Sequence, residues 1–181
     1  MKKKIISFGA SNSKRSINRQ FARFAASQLS DVDVRNLDLN DFPLPLYSVD
    51  LEISDGIPSA AINFLEEVKA ADGIVVSLAE YNGLHTSAFK NLWDWLSRVD
   101  GQQIWQNKPM LLLGTSPSQR QESNVMQVSK HLFPFFGANI IGAFHLPSFN
   151  HYFKENSIVN EEFKARFNIE LNKFQAFINQ Q

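Results

Sequence analysis

The chain is predicted to be an α/β protein, a doubly wound parallel sheet with helices on both faces, and three observations carry that prediction. Five short apolar runs are separated by segments of helical periodicity, so strand and helix alternate five times. Most of the runs are continuous rather than alternating, as strands covered on both faces require. At 181 residues the chain is long enough for one sizeable core, and no repeat, low-complexity tract or linker divides residues 1–181. Right-handed crossovers then place the helices on both sides of the sheet.

Taken in order, the first strand is residues 4–8, ending at Gly9. Ile17, Phe21, Phe24 and Ala25, at i, i+4, i+7 and i+8, predict the first helix. The second strand is 32–37. Residues 38–57, with Pro43 and Pro45, show neither period and are predicted irregular. Loops of that length are usually functional or disordered, and Phe42, Leu44, Leu46 and Tyr47 imply that this one packs on something. Pro58 is placed to open a helix carrying Ala61, Ile62, Leu65 and Val68. The third strand, 73–78, is followed by a helix with Phe89, Leu92, Trp93 and Leu96 on one face. After the fourth strand, 110–114, Val125, Val128 and Leu132 define a helix that must end near Pro134. The fifth strand is 139–144. The last helix carries Phe163, Phe167, Leu171, Phe174 and Ile178, with Asn160 as cap and Glu161 and Glu162 in its first turn.

Composition narrows the functional classes. Lys plus Arg and Asp plus Glu both number 18, so no global field attracts nucleic acid, and no basic stripe is visible. The absence of cysteine excludes a disulfide framework, a thiolate zinc site, an iron–sulfur cluster and a cysteine nucleophile. Lys2 to Lys4 precede an apolar run too short for a signal peptide, and no segment approaches the ~20 apolar residues of a membrane helix. A cytoplasmic protein without membrane or nucleic-acid partners is expected. His145 and His151 lack the carboxylate or thiolate company of a metal site, and none is expected.

Ligands of open parallel sheets bind outside the carboxyl ends of the strands, so the first loop, FGASNSKRSIN at residues 8–18, is the place to look. It contains neither G-x-x-x-x-G-K-[ST] nor G-x-G-x-x-G. Gly9 to Ser13 approximates a nucleophile elbow but lacks the second glycine and follows the first strand, which argues against a hydrolase. What remains is a hydroxyl-rich loop emptying onto a helix N-terminus. Ser11, Ser13 and Ser16 offer hydroxyls, Asn18 an amide and Lys14 and Arg15 charge, beside the free N–H groups of the first turn. Together they suit a phosphate monoester. Ser16 alone reads equally well as a helix cap.

A second signature follows the third strand: AEYNGLHTSAFKNLWDWLSR, residues 79–98. Its E-Y-N-G and K-N-x-x-D-W-x-S-R elements (Glu80, Tyr81, Asn82, Gly83, Lys90, Asn91, Asp94, Trp95, Ser97, Arg98) resemble the NADPH-dependent FMN reductase family of flavodoxin-like proteins, which includes quinone, azo-dye and chromate reductases. The first loop agrees through Ser11, Ser16 and Asn18, the fourth-strand loop through Thr115, Ser116 and Pro117, and residues 41–47 through DFPLPLY.

The resemblance implies a flavodoxin-like fold with strand order 2-1-3-4-5 and non-covalent FMN, with NAD(P)H as co-substrate. Ser11, Ser13, Ser16, Ile17 and Asn18 would surround the phosphate. The backbone of the loop from Glu80 through Asn82 to Gly83 would face the N5/O4 side of the flavin, with Gly83 permitting close backbone approach, and Tyr81 would pack beside the ring or at a subunit contact. Thr115 and Ser116 would cover its pyrimidine edge. The implied reaction is hydride transfer from NAD(P)H to the flavin and onward to a small-molecule acceptor such as a quinone, azo compound, metal oxyanion or free flavin. It needs no catalytic protein acid or base. A homodimer or tetramer is implied as well.

The chain departs from the family at Ser13, where arginine is common, at Ala79, where proline is usual, and at Ser118-Gln119, where glycines are frequent. His85 is expected at the rim, and Trp93 and Trp95 in the core or at an interface. A flavodoxin-type electron carrier would share the fold but should be acidic. A receiver-type signalling domain would need acidic residues after the first strand, where this chain has serines and asparagine.

Overall fold

The computed structural model describes residues 2–99, 103–121 and 123–180. In chain order the strands are β1 (Lys3–Ala10), β2 (Val32–Asn36), β3 (Gly73–Leu78), β4 (Glu80–Tyr81), β5 (Leu84–His85), β6 (Pro109–Thr115), β7 (Asn139–Leu146), β8 (Phe153–Lys154) and β9 (Ser157–Ile158). Five of them form a parallel sheet in the order β2-β1-β3-β6-β7. Counting the long strands alone, this is the expected 2-1-3-4-5. The short strands pair as two antiparallel hairpins, β4 with β5 and β8 with β9.

Successive residues of the central strands serve opposite faces, as a pleat demands. Ile5, Val75, Leu111 and Leu113 pack under α1 (Ile17–Ser27) and α7 (Glu161–Gln180), among Phe21, Phe144, Phe167 and Phe174. Ile6, Phe8, Ile74, Val76 and Leu112 face α3 (Ser59–Ala70), α4 (Ser87–Leu96) and α5 (Asn124–Leu132), among Phe64, Phe89, Trp95 and Phe133. Helix α1 starts against the end of β1 because residue 9 has no side chain. A Cβ there would stand 2.4 Å from the Arg19 amide nitrogen. Asn160 caps α7 as expected, its Oδ1 accepting from Phe163 N at 3.0 Å.

Three segments differ from the sequence reading. Residues 38–57 are not irregular throughout. They hold a 3-10 turn (Leu39–Asp41) and α2 (Val49–Asp55), capped by Ser48, whose Oγ accepts from Leu51 N at 3.1 Å. Helix α2 buries no residue, so it leaves no apolar period in the sequence. Residues 80–85 form a hairpin, and residues 149–158 form a single helical turn, α6 (Phe149–Tyr152), followed by the second hairpin.

The long connection does pack. Trp95 Nε1 and Asn91 Nδ2 both donate to Pro45 O, at 2.8 and 2.9 Å, and Tyr47 N donates to Asn91 Oδ1 at 2.8 Å. Tyr47 donates its hydroxyl to Glu52, which Arg98 also binds at 3.0 Å. Phe42 meets Phe64 edge-on at 5.1 Å. Among the described residues no helix is long and apolar enough to cross a membrane.

Candidate functional site

The loops leaving β1, β3 and β6 lie side by side at the carboxyl edge of the sheet, because these strands are neighbours. The first loop coils back on itself through its serines. Ser13 N donates to Ser11 Oγ at 3.2 Å, Arg15 N to Ser13 Oγ at 3.3 Å and Arg19 N to Ser16 Oγ at 3.1 Å. Each hydroxyl therefore accepts, and none of the three has an acceptor for its own hydrogen among the described residues. Ser16 is the N-cap of α1. Ile17 and Asn18 follow it with N–H groups that no intrahelical carbonyl can reach. Arg19 is held by Asp38 and by the Lys14 carbonyl. Lys14 and Arg15 are exposed, with no acidic partner among the described residues. A tetrahedral anion would find hydroxyl hydrogens, two amides without an intrahelical partner, the positive end of the helix and two exposed cations at one place. The loop fits a phosphate.

Asn18 departs from its expected role. Its side chain is buried and turned into the sheet. Oδ1 accepts from Ser77 Oγ at 2.7 Å and Thr115 N at 3.0 Å, and Nδ2 donates to Thr115 O at 3.1 Å. The amide expected at the phosphate instead ties the start of α1 to β3 and β6, leaving the backbone N–H as what Asn18 offers a ligand. Thr115 is similarly engaged, since its hydroxyl donates to Leu146 O at 2.7 Å. Of the expected pyrimidine-edge pair, Ser116 alone keeps a half-exposed hydroxyl, 3.1 Å from Ser118 Oγ.

Glu80 to His85 build the rim of the site from a hairpin whose tip is Asn82-Gly83, both at positive φ (54° and 83°). This is the backbone a two-residue hairpin of right-handed twist requires, and Asn-Gly is its strongest sequence signal. The glycine expected to allow close approach of a ligand is needed first by the turn. A Cβ on it would also crowd Asn124 Nδ2 at 3.3 Å. Glu80 is engaged at the start of α5. It accepts from Ser123 Oγ at 2.7 Å and Val125 N at 3.2 Å, and pairs with Arg120 at 3.3 Å. Burial raises its pKa, but those hydrogen bonds and Arg120 outweigh burial and leave it below the ordinary carboxylate value. Glu80 therefore clamps the hairpin to Arg120, Ser123 and Val125. Asn124, whose Nδ2 lies beside the hairpin tip, carried no signal in the sequence reading.

On the second strand of that hairpin, His85 is half-buried among Phe89, Trp93 and Phe133. Burial, aided by Lys90, pushes its pKa down to about 4, so it is neutral at physiological pH. Two clefts flank the sheet edge. One, of about 410 Å³, lies between Asn12, the Leu39 to Leu46 stretch and α4. The other, of about 610 Å³, lies between Pro117 to Gln121 and Pro147 to Tyr152.

A family model described as NADPH-dependent FMN reductase matches residues 3–151. The 2-hydroxy-1,4-benzoquinone reductase of Burkholderia sp is 39% identical over 102 residues, 56% of this chain and 54% of that protein. The quinone reductase of Escherichia coli (strain K12) is 31% identical over 100 residues, 53% of each chain. The chain thus spans about half the length of these curated relatives. The solved structure of the flavoenzyme NAD(P)H:(acceptor) oxidoreductase FerB from Paracoccus denitrificans superposes with a TM-score of 0.77 at 21% identity, covering 98% of both chains. That likeness establishes the fold.

Proposed function

Since the chain belongs to the NADPH-dependent FMN reductase family, we propose that it is an NAD(P)H-dependent oxidoreductase that holds FMN across the ends of β1, β3 and β6 and reduces a small-molecule acceptor of the quinone class. The observation that carries this reading is the first loop, where among the described residues Ser11, Ser13 and Ser16 have no acceptor for their hydroxyl hydrogens and Lys14 and Arg15 no acidic partner. When bound, FMN supplies the hydride and electron chemistry. The chain's own residues bind and orient. The serine hydroxyls and the Ile17 and Asn18 N–H groups would grip the phosphate, and the Asn82-Gly83 turn and Ser116 would hold the ring. Glu80 ties the hairpin to Arg120, Ser123 and Val125. The part-apolar cleft of about 410 Å³ beside Asn12, walled by Leu39, Phe42, Leu44 and Leu92, suits a flat acceptor. A cytoplasmic homodimer is part of this reading, and the quinone reductases among the relatives support the acceptor class.

The test is direct. The purified protein should be yellow or take up FMN, release FMN on heating, and oxidise NADH or NADPH when a quinone is added. Release of FAD or riboflavin, or flavin binding without any NAD(P)H oxidation, would overturn it.

A further inference from the structure

His145 is a titratable side chain that the proposed function leaves unused. It stands on β7 opposite Gly114, the residue of β6 that leads into Thr115 and Ser116. Its ring rests against Gly114 beside Met126. A Cβ on Gly114 would lie 3.1 Å from His145 Nδ1 and 2.8 Å from Met126 Sδ, so the missing side chain gives the ring its seat. One side of the residue lines a cavity of about 310 Å³ with Gln121 and Ser123. Both ring nitrogens are nevertheless enclosed, and neither has a hydrogen-bond partner among the described residues. Burial holds the pKa below its ordinary value, so the ring is neutral at physiological pH and carries one N–H and one bare nitrogen. Orphaned buried donors are rare in native proteins and call for an explanation.

The neighbouring segment supplies one. The backbone of Arg120 lies beside the ring and raises its pKa, the sign a carbonyl acceptor gives, yet it stands outside hydrogen-bonding geometry. Residues 116–121 are tethered chiefly at one end. Phe149 N donates to Ser116 O at 2.9 Å and Ser148 N to Ser118 O at 2.7 Å. Residues 119–121 make no backbone–backbone hydrogen bond among the described residues. The Arg120 side chain, 60% exposed, reaches Glu80 at 3.3 Å. An inward shift of Arg120 would bring its carbonyl onto the ring N–H. That shift acts on the candidate site from two sides, because this segment begins at Ser116 and Glu80 belongs to the hairpin that carries Asn82 and Gly83.

We propose that His145 is a positioning residue of the flavin site, its ring N–H kept for the Arg120 carbonyl and bonded to it in the FMN-bound state. Residues 116–121 are thereby fixed against the end of β6 when the site is filled. The donor is orphaned where Arg120 now stands and satisfied once Arg120 moves in, so FMN binding gains from the relief of a buried polar group. The inference rests on the proposed function and gives His145 no contact with cofactor or acceptor.

Three variants of the full chain test it, each stripped of flavin and then titrated with FMN. His145→Leu removes both nitrogens at similar volume. The urea midpoint of the flavin-free chain should rise, because an orphaned polar group gives way to an apolar one. FMN affinity should fall about tenfold, the worth of one hydrogen bond made only in the bound state. His145→Asn and His145→Gln place an amide N–H near where Nδ1 and Nε2 now stand, and one of them should regain most of that affinity. In chain labelled with heavy nitrogen at histidine, one ring N–H missing from His145→Leu should become slow to exchange when FMN is added. A midpoint that does not rise, unchanged FMN affinity in His145→Leu, amide variants as weak as leucine, or no protected ring N–H would each overturn the proposal while leaving flavin binding intact. A wild-type chain that takes up no FMN would overturn the proposed function and this inference with it.

Discussion

The first loop and the segment from Glu80 to Arg98 are the two motif-bearing regions of the chain, and they use their polar side chains in opposite ways. In the first loop three serines accept from backbone amides and, among the described residues, neither their hydrogens nor Lys14 and Arg15 find a partner side chain. In the second region nearly every polar group is engaged within the protein. Glu80 holds the start of α5, Thr86 caps α4 and donates to Ala10 O, Asn91 and Trp95 grip Pro45, and Arg98 binds Glu52. The longer and more specific motif is thus largely framework, and the shorter, plainer one keeps the free donors. Substitutions that contrast the two regions can break or sharpen this distinction.

The largest effect is expected at Trp95. Its ring is fully buried, and its Nε1 donates to Pro45 O, so it joins α4 to the long connection. Trp95→Ala removes one of the largest buried side chains and should cost about 3–5 kcal/mol of stability, read as a shift of the urea midpoint. A loss under about 1 kcal/mol, the range of a surface change, would show that the second region is not the framework described.

Asn18→Ala comes next, and it separates framework from ligand contact within the first region. The change leaves Ser77 Oγ and Thr115 N without the oxygen that both now use. An orphaned buried group costs ~1–3 kcal/mol, so a stability loss of about 3 kcal/mol is expected. FMN and riboflavin should weaken alike, since the amide serves the fold. A loss confined to FMN would return Asn18 to the phosphate.

The serines should behave in the opposite sense. Ser11→Ala removes a hydroxyl proposed to donate to a charged group, worth roughly 1.5–3 kcal/mol, or about tenfold or more in FMN affinity. Riboflavin, without the phosphate, should bind as before. Ser16→Ala adds the loss of a helix cap, ~1 kcal/mol of stability, which comparison of the two ligands cancels. Equal weakening of both would mean that these serines only shape the loop.

The sequence makes the sheet legible because its strands are buried on both faces and so appear as apolar runs. The five long strands and their order follow from those runs and the resemblance together. Elements without a buried face are silent: α2 rests on Ser48, Asp50 and Glu52, which also read as a loop. The β4–β5 hairpin was legible in Asn82-Gly83 but was masked by the functional meaning given to the glycine. In the candidate site, residue types were readable and orientations were not. An asparagine at the second position of a helix serves a ligand or a neighbouring strand with the same amide. The choice falls to Ser77 and Thr115, 59 and 97 residues away.

The smallest effect is expected at Arg98, which is as much a part of the motif as Trp95. Its guanidinium binds Glu52 at 3.0 Å, and that bond raises the Arg98 pKa and lowers that of Glu52. The arginine side chain is 49% exposed, so water competes for both partners and salt screens them. Arg98→Ala should therefore leave the urea midpoint within error of the wild type. What should change is local. Glu52 lies in α2, which has no fully buried residue, so limited proteolysis should cut residues 46–57 faster in the variant. A large global loss would place Arg98 among the framework residues despite its exposure, and the contrast with Trp95 would collapse. Unchanged proteolysis would show that Tyr47, Asn91 and Trp95 already hold the connection without it.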